Sequence, residues 1–487
     1  MREQQPYNVV VIGAGTAGLV TAAGTAGLGG RVALVERHKM GGDCLNYGCV
    51  PSKALIRSSR VAARMRAADR YGFDPVAPQI DYARVAGRMR KLRAQIAPND
   101  SVERFTSLGV DVFLDHARFQ SPHIVRVGDR ILRASHFVIA AGGRAAVPPI
   151  PGLREAGYHT NETIFDLDQL PARLAVLGGG PIGCELAQAL ARFGARVTII
   201  DRGPHLLHRE DADVTTLLEQ ALRSEGIRLL PETTVVEVRL GSDGVKRLQL
   251  TTAQGVEEVE ADQILVAAGR RPNVEELDLE KAGVEYDQRG IKINQYLQTS
   301  QPHIFALGDA SGPYQFTHFA DYQARLVVRN ILMSGLPNFL KAKADYSVVP
   351  WCTFTEPEVA RVGLNESAAL KQRVAFERFV FSFSELDRAI LDSAAEGFVK
   401  VLTAKGKDTI LGATIVGSGA GELIHEFTLA MRKGIGLATI SGTIHVYPTI
   451  SQAVQRVADA YNRTRLTDRV RKLFAWLYRR QLRGFSK

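Results

Sequence analysis

Two thiols lie close together in the segment Gly41-Gly42-Asp43-Cys44-Leu45-Asn46-Tyr47-Gly48-Cys49-Val50-Pro51-Ser52-Lys53. At this separation Cys44 and Cys49 can cycle between dithiol and disulfide, and a helix start beside them would lower a thiol pKa. The plainer alternative is a pair of buried, unreactive thiols. Just upstream is a phosphate-binding pattern: a β-branched run at residues 9–12 enters Gly13-Ala14-Gly15-Thr16-Ala17-Gly18, and a second apolar run ends at Glu36. Here Gly13 permits the tight turn, Gly15 lets a pyrophosphate approach the backbone, and Gly18 lets helix and strand pack closely. Glu36 can accept ribose hydroxyls. One such pattern is a weak signal, but it recurs at Gly178, Gly180 and Gly183 with Asp201 as the acid. In both copies the acid follows the first glycine by 23 positions. Two complete strand, loop, helix and strand contexts are expected to bind two dinucleotides.

Such sites need a large scaffold. At 487 residues the chain has the length of about three domains. Hydrophobic residues make up 45% and charged residues 23%, which excludes collagen-like, coiled-coil and wholly disordered chains. Four cysteines are too few for a disulfide scaffold. No run of 18 or more apolar residues occurs, and the first apolar run is a short strand, so neither a membrane-spanning helix nor a secretory segment is expected. A cytoplasmic, reducing location follows as the default, where a close cysteine pair is more often catalytic than structural. A Gly/Pro-rich break at 140–152 separates the two nucleotide units. After about residue 345 strands alternate and then give way to helices, without a phosphate loop. The expected architecture is α/β, with two Rossmann-like modules and a C-terminal α+β domain. Its segments are 1–150, 151–275, a return to the first module at 276–345, 346–461, and a tail at 462–487.

The cysteine segment strongly resembles the GGTCxNxGCxPSK motif of the FAD-dependent pyridine nucleotide-disulfide oxidoreductases, which include glutathione reductase, dihydrolipoyl dehydrogenase and mercuric reductase. The resemblance extends to about residue 460. It includes both glycine fingerprints, AAGGR at 140–144, which is similar to the family's ATG segment, and Leu307-Gly308-Asp309. It implies that the first fingerprint, with Gly42, Gly142, Gly308 and Asp309, holds FAD, Asp309 on the ribityl chain. The second fingerprint, with Asp201, Arg202 and Gly269, would hold NADH or NADPH. Asp201 would repel a 2′-phosphate, whereas Arg202 resembles the phosphate-binding arginine of NADPH-using relatives. Cys49 would face the flavin, Cys44 would meet the substrate, and Lys53 and Glu185 would flank the flavin as a pair. The implied reaction passes hydride from NAD(P)H to FAD, and reduced FAD then opens the Cys44–Cys49 disulfide. A homodimer formed through 346–461 and no resident metal are implied as well.

Three positions depart from the family pattern. Asp43 stands where threonine is usual, and its carboxylate would either oppose thiolate formation at Cys44 or serve as a solvated or helix-capping acid. Disulfide reductases carry a His-Pro-Thr-x-x-Glu segment near the C-terminus that supplies a base to the other subunit's cysteines. Here Tyr447 takes the histidine position and Gln452 the glutamate position. Tyrosine titrates near 10 and glutamine carries no charge to hold an imidazolium. His445 is either a substitute or a packed or solvated histidine. Mercuric reductases resemble this chain in carrying tyrosine there and in GSGAGELI at 417–424. Their N-terminal CxxC domain and vicinal C-terminal cysteines have no counterpart in this sequence, and Cys184 and Cys352 look structural. The expected acceptor is a metal ion, a disulfide or another small molecule, with a dihydrolipoyl dehydrogenase as the alternative.

The formal net charge is +10, and residues 462–487 alone contain nine Lys or Arg and one Asp. Leu466, Val470, Leu473, Phe474 and Leu477 recur at helical spacing, with Arg465, Arg469, Lys472, Arg480 and Arg483 beside them. A basic amphipathic helix is expected. It would pack on the protein surface or dock peripherally on an anionic membrane, inserting Phe474, Trp476 and Leu477. A basic membrane-surface or nucleic-acid binding protein is the alternative class. No nucleic-acid motif accompanies the charge, so nucleic acid is not an expected partner.

Overall fold

The computed structural model describes residues 5–482. They form two compact units: one runs to residue 67 and includes 75–206 and 225–345, and the other comprises 68–74, 207–224 and the chain from 346 onward.

The larger unit contains one construction twice. In the first copy parallel strands lie in the order Val110–Leu114, Val32–Glu36, Tyr7–Ile12, Arg130–Ile139 and Ile304–Ala306. Val9, Val10 and Val11 are wholly buried, as strands covered on both faces must be. Ile12 lies opposite both Val35 and Ile139, so the chain leaves the sheet where strand order reverses, the place where doubly wound folds open a crevice. Arg130–Ile139 also carries an antiparallel meander with Ile124–Val127 and Ala117–Ser121. The second copy repeats this with Arg228–Leu230, Arg196–Ile200, Arg173–Leu177 and Gln263–Val266 in parallel order, and a meander of Thr234–Leu240, Lys246–Thr252 and Gly255–Ala261. A short antiparallel pairing of Gly143–Ala145 with Arg270–Pro272 joins the segments that leave the two modules. The expected α/β class is what the chain adopts.

The other unit is α+β. Its antiparallel sheet runs Pro350–Thr353, Glu358–Gly363, Ile410–Gly417, Phe398–Ala404 and Phe376–Ser382. Helices Ala420–Lys433 and Gln452–Thr464 supply Ile424, Phe427, Val454 and Val457 to a core shared with Val399, Val401 and Ile415. Residues 207–224 belong to this unit, although they fall inside the second nucleotide module in sequence, and a buried charge cluster explains why. Lys400, with a side chain 1% exposed, donates to Asp211 (2.8 Å), Asp213 (2.8 Å) and Glu366 (2.9 Å). These carboxylates are close enough together to hold a cation, and the Lys400 ammonium already sits among them.

The expected tail helix is present as Asp468–Leu482, with one correction: residues 465–467 break the chain between it and Gln452–Thr464, so Leu466 and Arg465 lie off the helical stripe. Arg483 lies outside the described residues. No residue of Asp468–Leu482 is buried. None of the described helices is long and apolar enough to cross a membrane.

Burial pushes the Asp211 carboxyl up, but the Lys400 ammonium and the N–H groups of Ser367 and Glu366 outweigh it, and the net shift is downward. Burial likewise pulls Lys400 down, and its three carboxylate partners more than reverse this. The depressed Asp211 stabilises the fold above the unfolded carboxylate range and loses that contribution as pH falls through its folded value. The raised Lys400 keeps its contribution until pH climbs through its own folded value. Lys400→Met should therefore lower stability at neutral pH by about 3 kcal/mol, the order expected when the buried Asp211 carboxylate is left without its cation. The deficit should shrink in acid as those carboxylates protonate. Denaturant midpoints at neutral and acidic pH check this, and equal midpoints for variant and parent at neutral pH would contradict it.

Candidate active site

The two glycine loops are alike in detail. Gly13 and Gly178 have φ of +104° and +115°, a region that costs glycine nothing, and a Cβ there would fall 2.3 or 2.4 Å from the carbonyl oxygen of Ala140 or Ala267. A Cβ on Gly18 or Gly183 would lie 1.8 or 2.0 Å from the carbonyl oxygen of Gly13 or Gly178, so each helix can start where it does only with glycine in that place. The middle glycines differ. A Cβ on Gly15 would meet only the Gly42 Cα at 3.8 Å, and one on Gly180 would meet nothing within 4 Å. The protein's own packing gives no reason for glycine at either position. Room for a pyrophosphate against a helix N-terminus does, so both loops fit a dinucleotide. The acids repeat as well. Glu36 accepts the N–H groups of Ala14 and His38, each at 2.7 Å, and Asp201 accepts those of Gly179 and Gly203, each at 2.6 Å. Arg202 is exposed beside Asp201.

The cysteine loop is fastened to the first glycine loop. Gly41 N–H donates to Ala14 O at 2.9 Å, and Gly42 packs so tightly on Gly15 that a Cβ would come within 2.5 Å of its Cα. Cys44 lies in the short helix Gly42–Asn46, and Cys49 opens the helix Cys49–Arg66. Both thiols are free. Cys49 accepts a hydrogen bond from Cys44, has Thr317 Oγ1 3.3 Å from its sulfur and feels the positive charge of Lys53. Against burial and the Asp43 charge, these bring its pKa down to about 6. Donating that bond pushes the Cys44 thiol up, and burial adds to it. The hydrogen bond between them thus favours charge on Cys49 and a proton on Cys44. Lys53 is held in turn by Glu185 on the helix Pro181–Phe193, at 2.7 Å, with the Glu185 side chain only 6% exposed.

Asp309 follows the strand Ile304–Ala306 and accepts from Arg270 Nε at 3.1 Å. Arg270 also donates to Gly143 O and lies 3.4 Å from Asp43. Gly142 and Gly269, at the strand ends beside this group, face open space, and Gly308 N–H donates to Gln323 at 2.7 Å.

Residues 7–324 match the pyridine nucleotide-disulphide oxidoreductase family, and residues 349–458 match its dimerisation domain. The chain belongs to this family. It is 31% identical over 459 residues to a mercuric reductase of Staphylococcus aureus, covering 94% of this chain and 83% of that one. It is 35% identical over 471 residues to a dihydrolipoyl dehydrogenase of Thermus scotoductus, covering 94% and 98%. The Cu(II) complex of the HOCl-induced flavoprotein disulfide reductase RclA from Escherichia coli matches with a TM-score of 0.83 at 26% identity, covering 94% of this chain and all of that one (100%). As a pyridine nucleotide-disulphide oxidoreductase the chain is a flavoprotein that uses FAD and NAD(P)H.

The C-terminal unit carries the other residues singled out in the sequence. The Tyr447 hydroxyl donates to Asp387 at 3.0 Å, and this bond raises its pKa above the ordinary tyrosine value. Gln452 is buried. The His445 side chain is 7% exposed, with Nε2 3.0 Å from Glu426 and Nδ1 3.0 Å from Thr443 O. Cys184 is buried, its thiol donating to Gly179 O, and Cys352 is half-buried in the C-terminal sheet. Sequence reasoning missed Thr317, Asn161 and the ion-pairing role of Arg270. Thr317 belongs to no spacing pattern, and only its place soon after the Leu307-Gly308-Asp309 turn could have drawn notice.

Alkylation of the reduced protein by iodoacetamide should follow a single thiolate titrating near the Cys49 value of about 6. Thr317→Val removes a hydrogen-bond donor and Lys53→Gln a positive charge, so each should move that midpoint to higher pH. Midpoints that stay in place in both variants would contradict this account of the thiolate.

Proposed function

We propose that this enzyme uses NAD(P)H to reduce a thiophilic metal ion, mercury(II) or copper(II), through Cys44 and Cys49. The observation that carries the reading is the divided pair, a thiolate at Cys49 beside a thiol at Cys44, in a chain whose position 447 holds a tyrosine bonded to Asp387. Reducing a disulfide calls for a proton on the departing thiolate, whereas a soft metal ion calls for sulfur ligands. The likeness to mercuric reductases and to a flavoprotein disulfide reductase solved as a Cu(II) complex supports the same choice.

In this reading the first glycine loop, Glu36 and Asp309 would hold FAD, whose chemistry when bound would be electron transfer between the nicotinamide and the cysteine pair. Cys49 faces it, Lys53 fixed by Glu185 supports the Cys49 charge, and Cys44 meets the acceptor. Gly178, Gly180 and Gly183 seat the nicotinamide nucleotide, and Asp201 favours NADH over NADPH by repelling a 2′-phosphate. NADH supplies two electrons, enough to take one Hg(II) to Hg(0) or two Cu(II) to Cu(I). The enzyme works as a cytoplasmic homodimer joined through its dimerisation domain. The test is anaerobic reoxidation of NADH-reduced enzyme by Hg(II), Cu(II), lipoamide, glutathione disulfide and quinones. Metal ions should react fastest, with disulfides slower by roughly a hundredfold or more, the usual worth of a placed acid–base group. Cys44→Ser and Cys49→Ser should each stop metal turnover, and Tyr447→His with Gln452→Glu should raise disulfide turnover. Disulfides outpacing both metals in the parent enzyme would overturn the reading.

The tail adds a peripheral contact with anionic lipid. Leu473, Phe474, Trp476 and Leu477 are exposed on Asp468–Leu482, with Arg469, Arg471, Lys472, Arg479 and Arg480 on the same helix. Each basic residue near anionic headgroups contributes about 1 kcal/mol. Full-length protein should pellet with anionic vesicles at low salt and be released at high salt, while a chain ending at Tyr461 should stay in solution. Equal pelleting of the two would contradict the lipid contact.

A further inference from the structure

Asp43 differs in charge from the threonine of the family motif; it caps no helix, and although its side chain is 37% exposed it is held by two partners. Its helix, Gly42–Asn46, starts from Gly41 without any side-chain cap. The Asp43 carboxylate accepts from Asn161 Nδ2 at 2.9 Å, and Asn161 also donates to Tyr47 O at 3.2 Å, tying both ends of the short loop to one buried amide. The other carboxylate oxygen lies 3.4 Å from Arg270. A Cβ on Gly48, the residue before Cys49, would come within 3.0 Å of that oxygen, so the loop closes directly over the acid. A threonine hydroxyl carries no charge with which to hold the guanidinium.

Arg270 does not neutralise Asp43 alone, because it also pairs with Asp309 at 3.1 Å and feels Glu162 nearby. The Asp43 charge therefore still acts on both sulfurs. Lys53, itself paired with Glu185, acts in the opposite sense on Cys49. We propose that Asp43 is a positioning residue that Asn161 and Arg270 clamp in place, fixing a negative charge against Cys44 so that the pair carries one thiolate and resists becoming two. This rests on reading Cys44 and Cys49 as the redox pair. Both thiols are indeed pushed upward by the Asp43 charge, as is the Asp309 carboxyl. A dithiol relieved of that charge is easier to ionise, and a disulfide whose reduced form is stabilised becomes more oxidising.

The test uses purified flavoprotein with Asp43→Asn, Asp43→Thr and Asp43→Glu. Iodoacetamide alkylation midpoints and the Cys44–Cys49 reduction potential, read against a dithiothreitol couple, are measured for each. The Asn and Thr variants should shift alkylation to lower pH and raise the potential, and Glu should restore both. The same midpoint and potential in Asn and Thr as in the parent would overturn the inference. Parent enzyme that reduces neither Hg(II) nor Cu(II), with the shifts still present in the variants, would contradict the proposed function and leave the role of Asp43 standing.

Discussion

Two backbone crossings too close for a β-carbon set the geometry from which the site follows. The helices after the first and second glycine loops pass over the carbonyls of Gly13 and Gly178 so nearly that Gly18 and Gly183 cannot carry a side chain. That approach brings each helix start to the end of its central strand, and Glu36 and Asp201 bind the loop amides of Ala14 and Gly179 from the next strand. In the first copy the same loop then anchors the cysteines, because Ala14 O receives Gly41 N–H and Gly15 receives Gly42. A pyrophosphate site and a thiol pair thus share one short stretch of backbone.

The two modules share strand order, loop conformation and acid placement, and they diverge in what is attached. The first carries Cys44 and Cys49, and the second carries Glu185, which reaches across within the larger unit to hold Lys53 behind Cys49. The Cys49 charge is therefore supported from both modules, by Thr317 at the start of helix Thr317–Leu332 and by a lysine oriented from Pro181–Phe193. Asp43, paired with Arg270, acts against ionisation of both sulfurs. The division of labour between the two sulfurs comes first from the hydrogen bond that Cys44 donates to Cys49, with Thr317 and Lys53 adding to it at Cys49.

Much of this was legible in the sequence because it rests on local spacing. Glycine offsets report backbone collisions, and a strand ending in an acid reports which residue can reach the loop, so Gly13, Gly178, Glu36 and Asp201 could be named from their positions. Other features depend on partners far apart in the chain, for which spacing carries no signal. Arg270 meets Asp43 only because Gly143–Ala145 pairs with Arg270–Pro272. Residues 207–224 read as part of a nucleotide module, and their place in the other unit is fixed by Lys400, 189 positions after Asp211. Periodicity marked the tail helix correctly yet ran its stripe through Leu466, because apolar spacing does not register the break at residues 465–467.

The claim on which the rest depends is that Cys44 and Cys49 accept electrons from the nicotinamide through the flavin. Anaerobic titration of oxidised holoenzyme with NADH, followed by counting of free thiols under denaturing conditions, tests it most directly. The account predicts that two further thiols appear for each flavin as NADH is added. It also predicts long-wavelength absorbance from the Cys49 thiolate against oxidised flavin, absent in Cys49→Ser. Full reduction of the flavin with no new thiols and no such absorbance would contradict it.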